Sequence, residues 1–106
     1  MRLFSRRPAR PDRARAKDAR ERTRAHFRDF VSTRAGVEAF LEPATAHDPQ
    51  TVVLVARTGE WTRRRVPDAA AGRALAQELG IPIYDVHLTG YPSSMRRWSS
   101  ANRGRR

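Results

Sequence analysis

The chain has 106 residues, no Cys, and 22 basic residues against 11 acidic ones, for a net charge of +11. That length supports one small domain, and the lack of Cys excludes a disulfide framework, a thiolate nucleophile and Cys-ligated zinc. The charge is loaded at the ends: residues 1–28 carry +8, residues 29–92 carry −2 and residues 93–106 carry +5.

Met1 to Pro11 surrounds a lone Leu3-Phe4 pair with Arg and Pro, a composition that predicts disorder. Arg6-Arg7 suggests an export signal, but the segment from Pro8 to Arg24 is polar. The reading is therefore no export, no membrane span and a cytoplasmic location, with which the absence of Cys agrees. From Asp12, a plausible N-cap, the Ala-rich pattern predicts a helix over about 13–32. Asp18–Arg22 and Glu21–Arg24 are spaced as intrahelical ion pairs, and Phe27, Phe30 and Val31 supply the docking end.

Val37–Glu42 alternates as an exposed strand does, although Leu41-Glu42-Pro43 also fits the end of a short helix; the strand is favoured. Thr51–Ala56 is a β-branched apolar run, joined through Thr58-Gly59 to Trp61–Val66. This predicts a tight hairpin in which Arg57 opposes Glu60 and Ala56 opposes Trp61. In that register Val52, Leu54, Ala56 and Trp61 share a face with Arg63 and Arg65. The first strand of the hairpin, apolar on both faces, should be central.

Asp68 is placed to cap a helix with Ala71, Leu75 and Leu79 on its inner face and Gly80 at its end. Ile83 to Val86 reads as a short strand, which Pro82 restricts to an edge or a strand start. The helix then forms a crossover that sets this last strand parallel to Trp61–Val66. Ser93 is placed to cap a short helix carrying Met95, Arg96, Arg97 and Trp98, followed by a basic disordered tail. The expected fold is α/β (α+β): a small twisted sheet of three or four strands containing a β-hairpin, with one crossover helix and an N-terminal helix. Residues 1–28 form a basic, partly helical arm, 29–92 the domain, and 93–106 the short helix and tail.

Two constellations carry function. Trp61 with Arg63 and Arg65 suits stacking a base and tracking phosphates; the competing reading is a Trp packed in the core beside a solvated strand face. Tyr91, Arg96, Arg97 and Trp98, after the Gly90 turn, suit a phosphate at a helix start, or equally a C-terminal cap over the sheet. Asp85 and His87, two apart on one strand face, invite an Asp–His pair. No third ligand converges at recognisable spacing, so neither a metal nor a cofactor is expected. Gly-x-Gly fingerprints are absent, and no catalytic residue is assigned.

Val52–Ala56, Gly59-Glu60-Trp61-Thr62-Arg63-Arg64-Arg65-Val66, Ile81–Val86 and Gly90-Tyr91-Pro92 together resemble a family of short, largely uncharacterised proteins of high-GC Gram-positive bacteria. The resemblance covers about residues 37–98. Some members carry an oxidoreductase label, and the resemblance implies no catalytic residues. Arg97-Trp98 departs from the acidic or polar pair that related chains often have after Met-Arg.

High-GC coding favours Arg, and 21 of the 22 basic residues are Arg; Arg is also the better bidentate phosphate ligand. The function expected from sequence is non-enzymatic binding of nucleic acid, RNA or DNA, or another polyanion, with ribosome or nucleoid association as possible settings. The alternatives are a module binding a protein partner and, third, a small enzyme acting through Asp85 and His87.

Overall fold

Alternation and capping place the elements. The computed structural model describes residues 12–103, and the expectation for Met1–Pro11 lies outside them. In chain order the elements are α1 (Asp12–Thr33), β1 (Glu38–Glu42), β2 (Thr51–Val55), β3 (Trp61–Arg65), α2 (Ala69–Leu79), β4 (Ile83–Asp85), α3 (Val86–Thr89) and α4 (Ser93–Ala101). The four strands form one mixed sheet in the order β3-β2-β1-β4, giving an α+β fold with an N-terminal helix. β1–β2 and β2–β3 are antiparallel and β1–β4 is parallel.

β2 is central, as its apolar run requires. β1 is central too, which corrects the exposed strand expected for it. Ala39, Phe40 and Leu41 are all buried, because β1 has strands on both edges and helices over both faces. Its polar residues sit at its ends, where Glu42 is held by ion pairing. β4 lies at an edge, as Pro82 demanded. It runs in the same direction as β3 but beside β1, so the crossover through α2 passes over two strands. The α2 caps match their sequence signals: the Asp68 side chain accepts from the Ala71 N–H, and Gly80 takes φ 73° at the C-terminus.

The hairpin turn differs from expectation by one residue. Val55 pairs with Trp61, because Gly59 at φ 97° forms a bulge. Gly59 N–H bonds the Ala56 carbonyl and Ala56 N–H bonds the Glu60 carbonyl, both at 2.8 Å, so the loop takes three residues where two were expected. A one-residue slip exchanges the faces of a strand. Trp61, Arg63 and Arg65 therefore stand with Val53 and Val55, not with Val52, Leu54 and Ala56. The expected Arg57–Glu60 pair is replaced: Glu60 takes two hydrogen bonds from Arg34, at 3.1 and 2.8 Å.

The larger core lies on one face, where Phe27 and Phe30 of α1 and Ala76 of α2 pack on Ala39, Leu41, Val52 and Leu54. Phe27, 1% exposed, contributes roughly 2–3 kcal/mol by burial. On the other face a smaller cluster of Phe40, Val53 and Val55 is covered by Trp61, Val86 and Met95. The boundary drawn at residue 28 falls inside α1, which runs unbroken through it. α4 begins after Pro92 with no side-chain cap, so Ser93 is not the cap; its hydroxyl instead accepts from Arg97. The short helix expected here is present and runs from Ser93 to Ala101.

Candidate functional site

β3 alternates Trp61, Arg63 and Arg65 onto the sheet face that α4 partly covers. Trp61 Nε1 donates to Ser99 Oγ at 2.9 Å, and the Arg63 guanidinium lies over the Trp61 ring at 5.1 Å. Arg63 also grips Glu42 through Nε and Nη2, both at 2.8 Å. Glu42 accepts from Thr51 Oγ1 at 2.5 Å and from the Tyr91 hydroxyl. Burial alone would raise the Glu42 pKa, but hydrogen bonds from Arg63, Thr51 and Tyr91 outweigh it and hold the carboxyl down to about 2. Burial, and then the hydrogen bond to Glu42, push the Tyr91 phenol up.

Three of the seven residues singled out in the sequence, Trp61, Arg63 and Tyr91, are thus engaged within the fold. Trp98 is half-buried against the hairpin, its Cβ beside Gly59. Arg96 and Arg97 are exposed on the opposite side of α4 from Met95 and Trp98. Arg65, unlike Arg63, forms no ion pair within the described residues. The groove beside it, of about 470 Å³, also holds Glu42 and Asp48, and Glu38 stands on the same sheet face. That face gathers more acids (Glu38, Glu42 and Asp48) than arginines (Arg63 and Arg65) and suits a polyanion poorly.

The cations collect elsewhere. Arg13, Lys17, Arg20, Arg24 and Arg28 recur at steps of four, three, four and four along α1, and helical geometry puts them within a stripe about 80° wide. Arg24 and Arg28 both reach Glu78 of α2, at 2.9 and 3.2 Å, and Arg24 also bonds Glu21 at 3.0 Å. Arg20 and Arg65 form no ion pair among the described residues, and with Arg24 they rim a cleft of about 170 Å³ between α1, the end of β3 and α2. Its floor is apolar, formed by Val66, Pro67, Ala71, Ala74 and Leu75, and Thr23 and Glu78 complete the lining, Glu78 being the carboxylate that Arg24 and Arg28 hold. An unpaired guanidinium offers a planar fork of donors that fits phosphate or carboxylate. The spacing of the arm's cations encodes this stripe, whereas their net charge does not.

Of the histidines, His26 has a side-chain partner. His26 lies 2.7 Å from Thr62 Oγ1, and burial, followed by the nearby Arg64, lowers its pKa. Asp85 and His87 do not share a strand face, because β4 ends at Asp85 and His87 belongs to α3. The Asp85 carboxylate instead caps α3 by accepting the His87 backbone N–H at 2.9 Å, which corrects the expected side-chain pair. Among the described residues no group of three or more His, Asp or Glu is placed to hold a metal ion, and no helix is long and apolar enough to cross a membrane.

Compared with known proteins, the chain matches no family model, no curated protein and no solved structure.

Proposed function

We propose that this protein is a non-enzymatic nucleic-acid-binding protein, taking RNA or DNA, through the α1 stripe and the exposed edge of β3. The observation that carries this reading is that Arg20 and Arg65, from separate elements, rim one cleft while neither is neutralised by an acid among the described residues. Arg13, Lys17 and Arg64 extend the cationic surface on either side. The contact surface thereby moves off the Trp61–Arg63–Tyr91 face, where carboxylates match the guanidinium groups. Ribosomal and nucleoid surfaces in a cytoplasm are fitting settings. The family resemblance belongs to the same proposal and adds no catalytic residue to it.

The test is a titration of the full chain with oligonucleotides between 50 and 300 mM salt. Neutralising about five phosphates gives a slope of about −4 for log affinity against log salt. Affinity that ignores salt over this range would sink the reading.

One observation favours a second reading, a module for a protein partner. Tyr84, Leu88 and Tyr91 are exposed, Leu88 by 83%, and Tyr84 and Tyr91 both lie against the Phe40 ring. Co-purification before and after nuclease treatment separates the two: a partner retained after nuclease, with no nucleic acid recovered before it, favours the module.

A further inference from the structure

The cleft between α1, β3 and α2 combines two chemistries. Arg20 and Arg65 stand at its rim as cations with no ion pair among the described residues, and Val66, Pro67, Ala71, Ala74 and Leu75 form an apolar floor. Arg24 forms a third wall, and its guanidinium is held by Glu78 at 2.9 Å and Glu21 at 3.0 Å. A guanidinium fixed in this way presents a planar surface on which a base can stack, without first losing side-chain freedom. Val66 and Leu75 of the floor also belong to the core between the helices and the sheet, and Pro67, Ala71 and Ala74 extend that apolar surface into the cleft, giving a base a face to lie on. The volume, about 170 Å³, falls below the roughly 300 Å³ at which pockets for drug-sized ligands begin. It suits one ring system and not a larger molecule.

Resting on the nucleic-acid reading, we propose that this cleft takes a single unstacked base of single-stranded nucleic acid, with Arg20 and Arg65 holding the phosphates that flank it. The base lies between the apolar floor and the Arg24 guanidinium. In a duplex the bases are paired and stacked, so the cleft selects single strands.

The experiment compares two single strands of about twelve nucleotides, within the span that single-strand-binding surfaces cover, one with its bases and one abasic along its whole length. The full-length protein is titrated with each at one salt concentration. One stacked base favours the base-bearing strand by about tenfold. Ala74→Leu, at an exposed helical position facing the cleft, fills the floor and brings that ratio to within about twofold. Ala70→Leu, on α2 but not lining the cleft, leaves it near tenfold. Circular dichroism with an unchanged melting temperature shows that each variant is folded. Equal affinity of the wild-type protein for the two strands overturns the base site and leaves the polyanion reading standing. An undiminished ratio in Ala74→Leu also overturns the site. Failure of the wild-type protein to bind either strand overturns the nucleic-acid reading and the base site together.

Discussion

Arg63 on β3 reaches across β2 to clasp Glu42 on β1, with both nitrogens of its fork 2.8 Å from the two carboxylate oxygens. The guanidinium that sequence patterning offers to a phosphate is already occupied by a carboxylate, in the bidentate geometry that phosphate would need. Glu42 has little access to water, its side chain being 12% exposed against 42% for Arg63. The pair is therefore a structural clamp across three strands.

Substituting Arg63 with Gln should lower stability and spare binding. The largely buried carboxylate keeps Thr51 and Tyr91 but loses its charged partner, a cost of about 1–2 kcal/mol in urea unfolding. Affinity for an oligonucleotide should hold within about twofold. Arg20→Gln and Arg65→Gln should show the converse, with unchanged unfolding midpoints and a salt slope shallower by nearly 1 for each phosphate no longer neutralised. A weaker Arg63→Gln complex at unchanged stability would return the interface to the β3 face.

The Glu42 carboxyl makes stability depend on acid. Its pKa falls from 4.5 in the unfolded chain to about 2 in the fold, so the stabilisation is complete above about pH 4.5 and is lost as pH falls toward 2. Glu60, lowered by its hydrogen bonds from Arg34, adds in the same direction. Unfolding free energies measured from pH 5 to pH 2 should decline for the wild-type protein. Glu42→Gln should start lower and decline less steeply, since it no longer has that proton to gain.

Gly59 is where the hairpin turn meets the backbone of α4. A Cβ built there would overlap the Ser94 carbonyl oxygen and lie 2.6 Å from its carbon, on a residue already at φ 97°. Both obstacles are backbone, so Gly59→Ala should displace α4 from the sheet and cost more than about 2 kcal/mol. Tryptophan fluorescence reads this directly, because Trp61 bonds Ser99 and Trp98 lies against the turn. A red-shifted emission with a lower melting temperature is expected.

α1 is anchored by its aromatic end and only trimmed by its charges. Phe27→Ala should cost about 3–4 kcal/mol by removing a fully buried ring. Glu78→Gln removes the shared partner of Arg24 and Arg28, an exposed pair of contacts, and should cost under about 1 kcal/mol. Chemical unfolding of the two variants side by side checks the ratio.

Much of the architecture is legible where a residue type has one local role. Asp68 and Gly80 bound α2 because a carboxylate satisfies free N–H groups and glycine accepts a left-handed backbone. Phe27 and Phe30 mark the docking end of α1 for the same kind of reason. The hairpin register is not legible in that way. Thr58-Gly59 suits a two-residue turn, and Gly59 suits equally the left-handed position that ends a three-residue loop; the fold takes the second, with Gly59 against the backbone of Ser94. That single step carried the Arg–Trp face to the other side of the sheet. The roles of Glu42 and Tyr91, 49 positions apart, depend on a contact that no local pattern encodes. The cleft joining Arg20 to Arg65 is hidden likewise, whereas the α1 stripe that leads to it follows from spacing alone.

The place of β1 in the sheet bears on how the chain is made. β1, β2 and β3 form a meander whose pairings are local, and it can close as soon as residue 66 has left the ribosome. The second edge of β1 waits for Ile83, which pairs with Ala39, and the cover over Phe40 waits further, for Met95. Non-local pairing of this kind forms late. During synthesis a central strand therefore presents a bare edge until Ile83 has emerged and an uncovered aromatic ring until Met95 has, and that nascent stage is when the protein is most open to misassociation.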